Sequence, residues 1–187
     1  MSTRVDNDFD SSSIRDREGR NLRPFSRPDV SKALKALQEA TDLWEYGSPY
    51  WQVPSEADLL ELCEQKFKPG SSSRIDLGIF LPHNDPVGQC SIHAIDWRNR
   101  TGQLGVAVWK NSDRGKGLGS NAIRHLMQFS FDDLDMFRLE AFILQDNKKS
   151  LHLFKGLGFQ QEGILRERYL RRGKRVDVVV LASIRDK

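Results

Sequence analysis

The stretch "DRGKGLGSNAI", Asp113 to Ile123, interleaves Gly115, Gly117 and Gly119 with Arg114 and Lys116 and runs into an apolar pattern. Glycines so spaced let backbone N–H groups converge on one point and let a ligand approach without meeting a Cβ. A helix starting there adds the positive end of its dipole. Phosphate oxygens suit such a site, and the two cations add charge. The bland alternative is a flexible loop ahead of a helix. Two common phosphate motifs fit badly. A Walker loop needs Gly-Lys followed by Ser or Thr, and here Gly-Leu-Gly-Ser follows. A dinucleotide fingerprint needs a third glycine where Ser120 stands, and its first glycine directly after a strand, whereas Lys110 to Asp113 intervene. Glu140 falls about twenty residues on, the spacing of a ribose-binding acid, but it reads as mid-strand.

Working outward, "RIDLGIF", "VGQCSIHAI" and "TGQLGVAVW" alternate apolar residues ahead of the glycines: Ile75, Leu77 and Ile79; Cys90, Ile92 and Ala94; Leu104, Val106 and Val108. "HNDP" and "RNRTG" are turns, so the three predict an antiparallel meander. Beyond the glycines, Leu118, Ala122, Leu126 and Phe129 mark one face of a helix, "FRLEAFI" a strand, "SLHLFKGL" a short helix, and the tail two strands around "RRGKR". At the other end, Asn21 to Ser26 predicts a short strand. A helix follows from Pro28 with Val30, Leu34, Leu37 and Ala40 inward, stopping near Glu45. A second helix starts at the N-cap Ser55 and runs to Pro69 and Gly70. Strand, two helices, three strands, helix, strand, helix and two strands make an α/β (α+β) fold, a mixed and mostly antiparallel sheet of about seven strands with four helices on its faces.

With 187 residues the chain suits one domain, 21–187, behind a polar leader, 1–20, too poor in apolar residues to order itself. The net charge of +3 is milder than a dedicated nucleic-acid binder carries. Cys63 and Cys90 have no partner at ligand spacing, so neither a disulfide framework nor a metal site is indicated, and a reducing compartment fits. No apolar run is long enough for a membrane helix and the N-terminus lacks a secretion signal, so a cytoplasmic protein is the expectation.

Arg114, Gly117 and Gly119, after a strand and before a helix, meet the Arg/Gln-x-x-Gly-x-Gly/Ala signature of the GCN5-related N-acetyltransferases, which this sequence resembles. "NKKSLHLFKGLGFQQEG" looks like that superfamily's Asn-x-x-Ser helix and its closing Gly-Phe-x-x-Glu-Gly. With "NLRPFSRPDV" near the start, the set resembles the branch of ribosomal-protein and spermidine acetyltransferases. The resemblance covers Asn21 to the C-terminus. It implies acetyl-CoA as co-substrate, with its pyrophosphate on the N–H groups of Arg114, Gly115, Lys116, Gly117, Leu118, Gly119 and Ser120. The pantetheine arm would lie along the strand of Val106 and Val108, with Asn147 on its other side, and a strand N–H would polarise the thioester carbonyl. It also allows a homodimer.

Many relatives place a tyrosine acid where this chain has Phe154, and the resemblance offers Ser150 as substitute. The branch's glutamate base falls here on Tyr169, with Glu167 two residues earlier; one strand period apart, they are expected to share a face, and either serves as base. Packing or solvated roles on a hairpin are the alternative for both. On the acceptor side, Asp42, Glu45, Glu56, Asp58, Glu61 and Glu64 lie among Trp44, Tyr46, Tyr50 and Trp51 with no Lys or Arg, a composition suited to a cationic amine. The helix acids read better as a wet face, which leaves Glu45 as the acid nearest a substrate or base role. "RERYLRRGKR" has six positive charges against one negative and suits an acidic peptide or ribosomal RNA instead, or is simply a solvated hairpin. Trp97 lines the acceptor site or packs, and the histidines show no metal spacing. The expected activity is acetyl transfer from acetyl-CoA to a primary amine, a peptide or protein N-terminus or a small molecule. An acyl-CoA-binding module with weak or no chemistry, suggested by Phe154, is the alternative.

Overall fold

The computed structural model describes residues 21–40, 54–65 and 67–185. The polar leader and the 41–53 segment, with Glu45 and the four aromatic residues, lie outside them. The order is β1 (Asn21–Arg23), α1 (Val30–Gln38) after a 3-10 turn, α2 (Glu56–Glu64), β2 (Ile75–Phe80), β3 (Pro86–Asp96), β4 (Thr101–Val108), α3 (Leu118–Gln128), β5 (Arg138–Leu144), α4 (Lys148–Gly156), β6 (Gln160–Arg171) and β7 (Lys174–Ile184). The strands form one sheet in the order β1-β2-β3-β4-β5-β7-β6. β2, β3 and β4 are the expected meander.

Local chemistry explains most boundaries. Ser55 and Asp58 form a reciprocal capping box: the Ser55 hydroxyl accepts from the Asp58 N–H at 3.2 Å, and the Asp58 carboxylate accepts from the Ser55 N–H at 2.7 Å. α2 stops at Glu64, short of Pro69, and Phe67 instead turns its ring toward Trp97, with centroids 6.1 Å apart. In β3, Ala94 sits at a φ of 49° where the register with β4 shifts between His93 and Asp96. That bulge leaves Ala94 exposed and brings Ile95 inward, so the expected alternation through Ala94 fails at its last step.

The sheet is covered on both faces. Leu118, Ala122, Ile123 and Leu126 of α3 and Phe154 of α4 join Ile79, Leu104, Ala141, Ile143, Val179 and Leu181 in the larger cluster. Val30, Ala33, Ala36 and Leu37 of α1 and Leu59 of α2 join Phe80 and Trp109 in a second. Ile79 and Phe80 are consecutive in β2 and belong to different clusters, so the clusters occupy opposite faces. Asp29 braces the second cluster from its edge. Its carboxylate accepts from the Arg23 guanidinium at 2.6 Å and the Ser26 amide at 2.8 Å, while that guanidinium lies 3.7 Å from the centroid of the Phe80 ring.

Candidate active site

The one parallel pair among the described strands is β4 with β5, and it is short. The register runs Thr101 to Arg138, Gly102 to Leu139 and Gln103 to Glu140, then ends, although β4 continues to Val108 and β5 to Leu144. Past Gln103 the two strands diverge into a cleft. β4 keeps its partner β3 on the other side, and the N–H of Trp109 donates to the carbonyl of Val87 at 2.9 Å. Hydrogen-bonding direction alternates along an antiparallel ladder, so Val106, Val108 and the Leu104 carbonyl turn away from β3 and into the cleft, while the Leu104 N–H completes the last rung with β5. Trp109, 1% exposed and stacked on Phe25 at 6.2 Å, joins that end of β4 to the cluster under α1.

The glycine loop closes the same end. Gly115 and Gly117 have φ of 76° and 78°, which L side chains rarely adopt. The first helical bond of α3 runs from the Asn121 N–H to the Gly117 carbonyl at 2.9 Å, so the N–H groups of Leu118, Gly119 and Ser120 precede it and point out of the helix end. A Cβ on Gly119 would stand 3.3 Å from Leu153 Cδ1, 3.8 Å from Val106 Cγ2 and 3.9 Å from Val108 Cγ2. Bare backbone there lets the start of α3 settle between β4 and α4. A phosphate-bearing ligand with a long arm fits this cradle and the cleft beside it.

Arg114 departs from its expected role. Its N–H is taken by the Asn111 carbonyl, and its guanidinium donates to the carbonyls of Val108 at 2.8 Å and Trp109 at 2.9 Å. It clamps the loop onto β4, and the N–H groups of Leu118, Gly119 and Ser120 at the helix start lie beyond it. Its guanidinium also takes up the Val108 carbonyl, leaving to the cleft the Val108 N–H and both groups of Val106. Lys116 stands 3.4 Å from Asp113.

Asn147 caps α4: its Oδ1 accepts from the Ser150 N–H at 3.0 Å. This local bond explains the Asn-x-x-Ser spacing without any ligand, and the amide NH2 remains to face one. Ser150, half-buried in the first turn of α4, has no hydrogen-bond partner for its hydroxyl among the described residues. Phe154 is 2% exposed and meets Phe159 edge-on at 5.1 Å, so it packs the core. The closing Gly-Phe-x-x-Glu-Gly is also structural at its acid, because Glu162 pairs with Arg138, which in turn holds Glu140 at 2.8 Å.

β6 corrects the shared-face expectation. Its register with β7 jumps from Leu165–Val178 to Tyr169–Val176, so three residues of β6 oppose Asp177 alone. Glu167 sits in this bulge at a φ of 52°, and the period of two from Glu167 to Tyr169 is broken. Glu167 is exposed; Tyr169 is half-buried, with the Arg168 guanidinium 5.8 Å from its ring centroid. Strand directions bring these residues to one end of the sheet: the C-terminal ends of β4 and β5 and the β6–β7 tip all lie there. Trp97, between β3 and β4, lies at the opposite end, where its indole N–H donates to the Ser72 carbonyl at 2.8 Å. It packs.

The acetyltransferase (GNAT) domain model matches residues 20–160. The chain belongs to this family. It resembles an uncharacterized N-acetyltransferase p20 of Bacillus licheniformis, 27% identical over 161 residues, 86% of this chain and 83% of that one. A putative ribosomal N-acetyltransferase YdaF of Bacillus subtilis is 29% identical over 169 residues, 89% and 90% of the two chains. The spermidine N-acetyltransferase of Vibrio cholerae, solved in complex with CoA and spermine, shares the fold with a TM-score of 0.73 at 21% identity, covering 88% of this chain and 95% of that one. This GNAT protein is thus an N-acetyltransferase that uses acetyl-CoA, and the alternative of a binding module without chemistry finds no support. Among the described residues no helix is long and apolar enough to cross a membrane and no group of acids, histidines and cysteines is placed to hold a metal.

Sequence reasoning missed Trp109, the clamping role of Arg114 and the bond from the Glu167 N–H to Asp177 Oδ1 in the β6 bulge. An isolated acid in the apolar run "VDVVVL" was the one available signal for the last.

Proposed function

We infer that this acetyltransferase acylates the α-amine of a peptide or protein by direct attack in a ternary complex. In this reading the N–H groups from Gly115 to Ser120 hold the pyrophosphate of acetyl-CoA, and Val106, Val108 and the Asn147 amide hold its arm. When bound, acetyl-CoA supplies the acetyl thioester: the amine nitrogen bonds to the acyl carbon, the C–S bond breaks and the thiolate leaves. Glu167 takes the proton from the amine, and the Ser150 hydroxyl donates toward the leaving sulfur. A carboxylate accepts protons at neutral pH, whereas a phenol of pKa about 10 such as Tyr169 must ionise first. Glu45 lies outside the described residues and has no assigned part.

The observation that carries the acceptor class is the disposition of charge. Two of the four acids of α2 have other employment: Asp58 closes the capping box, and Glu64 pairs with Arg27. The β6–β7 tip, by contrast, collects Arg166, Arg168, Arg171, Arg172, Lys174 and Arg175 at the cleft end of the sheet. A polycation meets repulsion there and an acidic peptide meets attraction. An α-amine, with a pKa of about 8 against about 10 for an alkylamine, also asks less of an exposed carboxylate base. The free Cys63 and Cys90 suit a reducing, cytoplasmic setting. A homodimer belongs to the same reading, with exposed Ile164 and Leu170 on edge strand β6 as the surface a second copy covers.

The test is continuous release of free CoA thiol from acetyl-CoA with a Ser-initiated acidic peptide, the same peptide with lysines for its acids, and spermidine. The acidic peptide is expected to give the highest kcat/KM, by at least about tenfold, with the preference shrinking as salt is raised. A higher kcat/KM for spermidine than for either peptide would reverse the acceptor assignment.

A further inference from the structure

We propose that Asp177 is a positioning residue for the reaction, holding Glu167 at the cleft through the β6 bulge; this rests on the reading of Glu167 as base. Glu167 has a left-handed backbone conformation, φ 52°, that L residues adopt only at a cost, and no glycine relieves it. Such a conformation persists only where its surroundings impose it. Here the register jump leaves Asp177 alone opposite Arg166, Glu167 and Arg168, so the bulge lacks its regular ladder. The missing partner is supplied by a side chain: the Glu167 N–H donates to Asp177 Oδ1 at 2.8 Å.

The backbone of Asp177 is engaged on the other side. Its carbonyl accepts from the Gln145 N–H at 3.0 Å, and Gln145 stands just past the end of β5, two residues before the Asn147 cap and five before Ser150. One residue therefore ties the strand that carries the base to the junction that carries the proton donor. With the Oδ1 acceptor removed, the bulge loses the bond that fixes it. The carboxylate of Glu167 then leaves its place while the glycine cradle, on the far side of the cleft, keeps its own bonds.

Four variants of the full chain test this, with turnover followed on both the Ser-initiated acidic peptide and spermidine so that acceptor identity does not decide the outcome. Asp177→Ala is expected to lose about tenfold in kcat or more with KM for acetyl-CoA within about twofold of wild type. Asp177→Asn, whose amide oxygen still accepts, recovers most of that loss. Asp177→Glu keeps the charge but moves the acceptor by one methylene, and stays slow. This order separates placement from charge even where the alanine variant folds poorly, and thermal melts of all variants report on folding. An Asp177→Ala enzyme as fast as wild type, or an Asp177→Asn enzyme slower than Asp177→Glu, overturns the proposal while leaving Glu167 as base. Glu167→Gln, expected to lose about a hundredfold, separates the two readings: at wild-type kcat it removes the base assignment and the role of Asp177 together.

Discussion

Asp29 shows how a single side chain carries consequences for stability. It is 5% exposed, and burial by itself opposes its ionisation. The bonds from Arg23 and Ser26 outweigh that and hold its pKa down to about 2, from 3.8. A carboxylate whose folded pKa lies below its unfolded one stabilises the fold above the unfolded value, and that contribution drains away as pH falls from about 4 through about 2. Asp29→Asn is therefore expected to cost about 2 kcal/mol near neutrality and progressively less below pH 4, read from urea unfolding across that range. Residues of this kind were illegible in the sequence. "RPFSRPD" shows a helix start but not that Arg23 folds back onto Asp29 and the face of Phe80. Gly115 and Gly117 were legible, because their positive φ answers to a local need that only glycine meets cheaply. Arg114 was half-legible: its position in the motif was right, and its destination, two carbonyls of its own strand end, depends on the path of the loop.

At the scale of elements, periodicity located nearly every helix and strand, but α1 stops at Gln38 instead of near Glu45 and α2 at Glu64 instead of at Pro69, and within the strands the failures fall at two bulges. The extra residue at Ala94 and the extra pair around Glu167 are set by pairing with another strand, which periodicity within one strand cannot register. Hence Glu167 and Tyr169 read as neighbours on one face when they are not. α4 poses the opposite case, since its Asn-x-x-Ser start resembles a ligand motif and is also a complete helix cap. The two roles separate by atom. Asn147→Asp keeps an oxygen acceptor for the Ser150 N–H and should leave thermal stability within about 0.5 kcal/mol of wild type. It also removes the amide NH2 and should weaken acetyl-CoA binding several-fold by calorimetry, whereas Asn147→Ala should cost about 1 kcal/mol as well. Equal affinity in Asn147→Asp and wild type would confine Asn147 to its cap.

Across the whole molecule, function follows from where one sheet stops being a sheet. Among the described residues five of the six strand pairings are antiparallel, and the sixth, parallel and only three residue pairs long, ends where the cleft begins. The number and type of strands were legible in the sequence. Their order, with β7 inserted between β5 and β6, was not, because it depends on long-range pairing that leaves no local periodic mark. That order carries the β6–β7 tip, the start of α4 and the glycine loop to a common end, and Trp97 to the other. In the proposed reading this cleft, walled by Leu104 to Val108 and closed by Gly115 to Ser120, holds acetyl-CoA. Amide hydrogen exchange with and without acetyl-CoA tests it most directly. With acetyl-CoA bound, exchange is expected to slow at Val106, Val108 and the amides from Gly115 to Ser120, with the ladder amides shared by β3 and β4 unchanged. Protection confined to other segments, with these amides exchanging as fast as in the free protein, would contradict it.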